Sequence, residues 1–295
     1  MRTGTSVVGT AITLLAAWLR PNRRASRAAE VARVVGRAAP ALLYLALLGS
    51  ELRWPLRPAR ESKGRRQLRN FAVAALGGLT VGVLQQPFTA PLARRVLRQR
   101  QGLLQQLPVP EWARDALAVV LMDYTLYLWH VLTHEVPHLW RFHRVHHADL
   151  DLDASTAVRF HFAELALSVP YRLAQVRLLG VSPRALDVWQ RLLMLSILFH
   201  HANVRLPERL ERVLSTWVMT PRLHGIHHSA DPEESSSNWS SGLALWDWLH
   251  GTLRRDVAQE DLDLGIPEPH RPEQLTLPRL LALPWRPPAA PGPTG

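Results

Sequence analysis

One pattern, His-x-x-His-His, occurs twice in this chain, as His143–x2–His146–His147 and again, far downstream, as His224–x2–His227–His228. Rings spaced i, i+3 and i+4 share one face of a helix, because a turn takes about 3.6 residues. A further i, i+4 pair, His130–x3–His134, precedes the first copy, and His161 and the doublet His200–His201 fall between the two copies. With 14 histidines in 295 residues, one such pattern arises by chance in roughly three chains per hundred and two copies in roughly one per thousand. The histidines are therefore read as a set. A divalent metal takes about three to five protein ligands and keeps a position open, so about eight to ten converging imidazoles require two metals. Imidazole ligation suits iron, zinc, copper or nickel. Whatever the fold, it must bring these distant segments to one place.

The rest of the composition narrows the chemistry. Cysteine is absent, which excludes disulfides, thiolate metal sites, iron–sulfur clusters and a thiol nucleophile. The net charge is +11, and Lys63 is the sole lysine, so the excess is arginine. It gathers at 20–37, 53–69 and 94–100, flanking apolar stretches as basic residues flank membrane segments, rather than forming a nucleic-acid-binding arm. No nucleic-acid partner is expected. Residues 3–19 carry no charge and suit an uncleaved anchor, since the Trp18–Leu19–Arg20 junction offers no small-residue cleavage site. Residues 71–93 are also uncharged and long enough to cross a bilayer, with Pro87 and Pro91 expected to kink the far end. Residues 38–50 suffice only if 31–38 extend them. Two or three spans are expected.

Proline and glycine punctuate the remainder. Pro108 and Pro110 end the apolar, Arg-rich first region at about residue 110. Helical periodicity then runs over 111–132, 160–179, 183–202 and 207–219, broken at Pro137, Gly180, Pro183, Pro207 and Pro221. No stretch alternates as a strand does, so an all-α fold is expected. Its predicted divisions are anchoring helices over 1–110, a histidine-rich domain over 111–265 and a proline-rich, partly disordered tail over 266–295. One competing motif overlaps the histidines: His134–Glu135–Val136–Pro137–His138 matches H-E-x-x-H, in which Glu135 would be the general base of a zinc hydrolase. Pro137 opposes the unbroken helix that such a site needs, and His138 is expected at the surface.

Together these residues resemble the fatty acid hydroxylase/sterol desaturase superfamily, and most closely its bacterial sterol desaturase-like branch. The resemblance runs from about Asp123 to Arg255, through DYTLYLWHVLTHEVPHLWRFHRVHHADLDLD, VRFHFAE, FHHANVRLP, TPRLHGIHHS and SNWSSGLALWDWLHGTLRR. It implies an integral membrane helical bundle with a histidine-rich catalytic domain at the cytoplasmic membrane surface. His130, His134, His143, His146, His147, His161, His201, His224, His227 and His228 would then hold two iron ions, with zinc as a possible occupant. His200 is the less certain neighbour. Asp123, Asn203, Asn238 and Asp247 would orient imidazoles or hold the fold. Two departures stand out: His250 replaces the usual apolar aromatic in WDWLHGT, and Phe162 follows His161 where proline is usual.

The implied activity is O2-dependent hydroxylation or desaturation of a lipid C–H bond. Electrons would come from a separate carrier protein, since the chain has no nucleotide fingerprint or haem-attachment motif. Two alternatives stay open: a zinc-dependent membrane hydrolase built on the HEVPH segment, and a non-catalytic protein stabilised by metal. Sterols, fatty acyl chains and other lipids are all compatible substrates.

Overall fold

The structure is a computed structural model that describes residues 26–267 and 271–287, with side chains given from residue 38 onward. The expected anchor over 3–19 and the last eight residues of the tail lie outside the described residues. Among the described residues there is no strand, only isolated bridges such as Pro55 to Val204 and Val218 to Leu243. The fold is all-α.

Helix α1 spans Ser26–Arg53, so residues 31–38 do extend the apolar stretch 38–50. Helices α2 (Lys63–Thr80) and α3 (Gln86–Arg98) are joined by a π-helical turn over Val81–Gln85 into one rod of 36 residues. That turn lies just ahead of Pro87, and a widened turn is one way a helix absorbs a missing donor. Helix α4 (Glu111–Glu135) outlasts the expected 111–132 and ends at Val136, whose backbone is extended. A new helix, α5 (Pro137–His147), begins at once with Pro137 in its first turn, where its missing N–H is no loss. Helices α6 (Phe162–Leu179), α7 (Pro183–His201), α8 (Glu208–Leu214) and α9 (Pro221–His227) follow, with Gly180 closing α6 in the left-handed conformation at φ 82°. Short helices α10 (Pro232–Ser235), α11 (Leu245–His250) and α12 (Leu277–Ala282) complete the fold.

Helix α7 packs between α1 and α4, while α6 lies against α2 and α3. Ala93, Ala118, Met122, Val176, Ala185 and Trp189 fill the core where α3, α4, α6 and α7 meet. Among the described residues, two helices are long and apolar enough to cross a membrane: the α2–α3 rod and α4. The first contains the expected 71–93 segment. The second was not foreseen as a span, because Asp115 and Asp123 interrupt its apolar run. Large side chains on the outer faces, among them Leu68, Leu79, Val83 and Phe88, are left exposed, as a lipid-facing surface requires.

A buried ionic network ties these helices to the loop after the first histidine pattern. Arg66 and Arg159 each lie 3.0 Å from Asp149, and Asn70 donates to the same carboxylate. Burial pushes the Asp149 carboxyl up, but Arg159 and Arg66 outweigh it and hold it at about 2. Glu51 of α1 accepts from the backbone N–H of Ala154 and of Asn203 and pairs with Lys63. One carboxylate thus fixes two loops, one following His147 and one following His201.

Part of the proline-rich tail is among the described residues. Residues 271–287 fold back on α5, burying Leu275, Leu280 and Leu283, and Arg144 donates to the Leu283 and Arg286 carbonyls. Proline here marks helix starts at Pro278 and Pro284.

Candidate metal centre

Four helices deliver the imidazoles. Helix α4 brings His130 and His134 on its last two turns, α5 brings His143, His146 and His147, α7 ends on His201, and α9 carries His224 and His227, with His228 as its cap. Nine of the ten histidines expected as ligands meet in two groups. His130, His134, His143, His147 and His227 form one, and His146, His201, His224 and His228 the other. In each group one ligand atom per ring lies within 4.8 Å of all the others. The two copies of the pattern interleave: His146 and His147 of the first copy fall in different groups, as do His227 and His228 of the second. Neighbours on a helix diverge by about 100°, so one pattern contributes rings to both groups.

Hydrogen bonds fix which nitrogen faces inward. His130 Nδ1 donates to the Trp239 carbonyl, His227 Nδ1 to the Ser237 carbonyl at 2.9 Å, and His201 Nδ1 to the Ile197 carbonyl at 2.8 Å. His143 Nδ1 donates to Glu164 Oε1 at 2.8 Å. These oxygens only accept, so each of these Nδ1 atoms carries the proton and each Nε2 a lone pair. His130 Nε2 then stands 3.2 Å from both His143 Nε2 and His227 Nε2. Three lone pairs converge with no hydrogen between them, which is repulsive unless a cation is present. In the second group His201 Nε2 lies 3.1 Å from His146 Nε2 and from His224 Nε2. Metal–nitrogen bonds of about 2.1 Å give edges of about 3.0 Å in an octahedron and about 3.4 Å in a tetrahedron. The observed spacings match such edges. His134 Nε2 and His147 Nε2, both buried, have no hydrogen-bond partner, as metal-facing atoms would not. The residues fit a pair of metal ions.

The charge state agrees. Burial, reinforced by neighbouring rings, pushes His146, His147, His224 and His228 well below the ordinary imidazole value, and His201 and His227 fall to about 3. Neutral rings are the ones that bind metal.

His161 is not brought to either group. Its Nδ1 accepts from the Ala163 N–H, capping α6, and its Nε2 donates to the Leu281 carbonyl. Both nitrogens are engaged, so neither has a lone pair to give a metal. His200 is buried against His224, with ring centroids 4.0 Å apart, yet belongs to neither group. Among the described residues, Asp123, Asn203, Asn238 and Asp247 hydrogen bond no imidazole. Asp247 instead accepts from the Trp239 and Ser240 N–H groups, and Asn238 pins the loop to Leu223 and Arg254. That loop supplies the carbonyls that orient His130 and His227. Asp123 accepts from Leu243 N and Trp246 Nε1, an approach only glycine at 242 allows, since a Cβ there would lie 2.3 Å from Asp123 Oδ1. Asn203 clamps the backbone of Arg57. His250 stacks on Tyr127 at 5.0 Å, standing in for an aromatic. The zinc-hydrolase motif is broken: Val136 separates its two halves, and Glu135 and His138 are exposed. Glu164 was not foreseen among the site residues, because nothing in its spacing marks it as His143's partner.

Beside both groups lies a cavity of about 150 Å³. Leu126, Trp129, Phe160, Leu193 and Ile197 form its apolar wall, and His130, His143, His146 and His201 its metal side.

Residues 116–252 match the family model described as fatty acid hydroxylase. That segment, a little under half of the chain, resembles the fatty acid hydroxylase family. All nine convergent histidines lie inside that segment. Curated members similar to the chain include an ornithine lipid hydroxylase of Rhizobium tropici, 34% identical over 152 residues, which are 51% of this chain and 44% of that protein. A cholesterol 25-hydroxylase-like protein of Danio rerio is 32% identical over 47% of this chain and 54% of its own length. An alkylglycerol monooxygenase of Xenopus tropicalis is 28% identical over 45% of this chain and 28% of its own. The chain thus spans about half, or less, of the fatty acid hydroxylase relatives it matches. No solved structure matches it.

Proposed function

We propose that this chain is a membrane-embedded di-iron oxygenase that hydroxylates or desaturates a C–H bond of a lipid, using O2 and electrons from a separate carrier protein. The observation that carries the reading is the convergence of nine imidazoles in groups of five and four beside one apolar cavity. Iron is favoured over zinc because oxygen chemistry needs a redox metal, and zinc is not one. The fatty acid hydroxylase relatives are named as hydroxylases and monooxygenases, which supports the same class of reaction here.

Nine histidines would hold the metals: His130, His134, His143, His147 and His227 one ion, His146, His201, His224 and His228 the other. Iron bound there would supply O2 activation and removal of hydrogen from an unactivated carbon. The protein's own part is positional. Glu164 and the Trp239, Ser237 and Ile197 carbonyls keep protons on Nδ1, so that Nε2 faces inward. The apolar wall admits a hydrocarbon segment and excludes water. His130 and His134 end a membrane-capable helix, which sets the metals near the bilayer surface. The Arg-rich segment 53–69 lies on that side through Arg57, which hydrogen bonds Asn203 and Gln259. Positive-inside orientation would then face the site to the cytoplasm.

The test uses the full chain, loaded with iron in lipid nanodiscs and supplied with a reductant. O2 consumption coupled to hydroxylated or unsaturated lipid is expected. His146→Ala and His227→Ala, which remove one ligand from each group, should each abolish it. Turnover surviving in either variant overturns the proposal, as does metal binding without O2 consumption in the unaltered chain.

A further inference from the structure

The cavity beside the metal centre holds one charge that the ligands do not explain. Arg172, midway along α6, lines it and is only 9% exposed. Burying a guanidinium is costly unless its charge and donors are met. Here they are met in part. One nitrogen donates to Gln175 Oε1 at 2.5 Å, and the group lies 4.2 Å over the Trp189 ring. Its Nε is buried without a partner. No carboxylate among the described residues forms an ion pair with it. Glu164 lines the same cavity but is taken up by His143. It also stands eight positions earlier on α6, roughly 12 Å along the axis. Desolvation lowers the Arg172 guanidinium to about 10, which leaves it a cation at neutral pH. A planar fork with a free donor, held inside an apolar chamber, is the geometry that receives carboxylate or phosphate oxygens.

Size points the same way. At about 150 Å³ the chamber falls below the ~300–1,000 Å³ of pockets that enclose a drug-sized ligand. It takes part of a lipid. A second apolar cavity of about 280 Å³, walled by Val119, Trp189, Leu192 and Leu243, shares Leu193 with the first. Trp189 of that second cavity is the ring beneath Arg172. The guanidinium therefore stands where the two chambers meet.

We propose that the substrate is an anionic lipid whose acidic oxygens bind Arg172. One arm of the lipid reaches from that point to the metals, and its apolar remainder occupies the second cavity. The oxidised carbon is then several bonds removed from the acid group. The fate of the bound lipid rests on the oxygenase reading; its capture by Arg172 does not.

Capture can be measured without turnover, on the full chain in neutral detergent loaded with redox-inert zinc. Hexadecanoic acid, hexadecyl phosphate and methyl hexadecanoate are titrated at pH 8, with quenching of tryptophan fluorescence as the readout. The acid or the phosphate should bind at least tenfold more tightly than the ester, and whichever does so identifies the acidic group. Arg172→Gln should erase the preference while leaving ester affinity and zinc content unchanged. Arg172→Lys, which keeps the charge and loses the fork, should retain a reduced preference and decides the matter if the glutamine variant does not fold. Equal affinity for all three lipids in the unaltered chain overturns the proposal, as does a preference that survives in Arg172→Gln. Acid-selective binding without oxidation by the iron-loaded chain would sink the oxygenase reading alone. Oxidation without acid selectivity would sink this one alone.

Discussion

Acidification of the metal-free chain probes the buried imidazoles most sensitively. His146, His147, His200, His201, His224, His227 and His228 are all buried, and burial drives every one of these rings below the ordinary imidazole value. Because their folded-state values are lowered, the stability they preserve is fully present above the unfolded value of about 6.5. It is lost as pH falls below that point, and the loss continues toward the folded values, about 3 for His201 and His227. At pH 5.5 the unfolded chain gains about 1.4 kcal/mol per ring from protonation that the folded chain is denied. Seven rings give on the order of 10 kcal/mol, against a whole-protein stability of about 5–15 kcal/mol. At about 2–4 °C per kcal/mol, the melting temperature should drop by roughly 20–40 °C between pH 7.5 and pH 5.5. The assay is thermal unfolding of the metal-stripped full chain in detergent, followed by circular dichroism at both pH values. Bound metal should blunt the drop until the ligands release it, since metal competes with protons for the same lone pairs. A melting temperature that moves by only a few degrees in the metal-free chain would show that these rings are not held neutral, and the reasoning fails.

Glu164→Ala should weaken metal binding about 10- to 100-fold in the five-histidine group alone, because Glu164 holds only His143. Chelator competition should find one weakened and one normal site, whereas equal weakening of both would count against the division into two groups. Asp149→Asn removes the counter-charge between Arg66 and Arg159 and should cost about 3–5 kcal/mol. Denaturant unfolding measures that loss, and a change below about 1 kcal/mol would mean the network is not what fixes the loop after His147.

The readable part of the site was the part set by local spacing. An i, i+3, i+4 pattern states which rings share a helix face, and two such patterns state that distant segments converge; both hold for His143–His147 and His224–His228. What spacing could not convey was the second layer. His130 and His227 are oriented by main-chain carbonyls of Trp239 and Ser237, and a carbonyl has no sequence signature. Glu164 reaches His143 only because α6 packs against α5. His161 illustrates the converse, since its position in RFHFAE suits a ligand while its ring caps a helix. Among the helices, 183–202 and 160–179 were legible from periodicity and proline. Helix α4 was legible as a helix but not as a membrane-capable one, because Asp115 and Asp123 hid its apolar length. In the described part of the tail, Pro278 and Pro284 start helical turns that Leu280 and Leu283 anchor on α5, a role that depends on position and not on proline content.

The pairing of two metal ions by nine imidazoles is tested most directly by counting iron. The full chain, stripped and then reconstituted anaerobically with isotopically labelled ferrous iron, is to be analysed by mass spectrometry for metal and by Mössbauer spectroscopy for its environment. Two high-spin ferrous ions per chain in nitrogen-rich surroundings are expected. A single ion per chain, or iron that binds with no histidine ligation, contradicts the pairing.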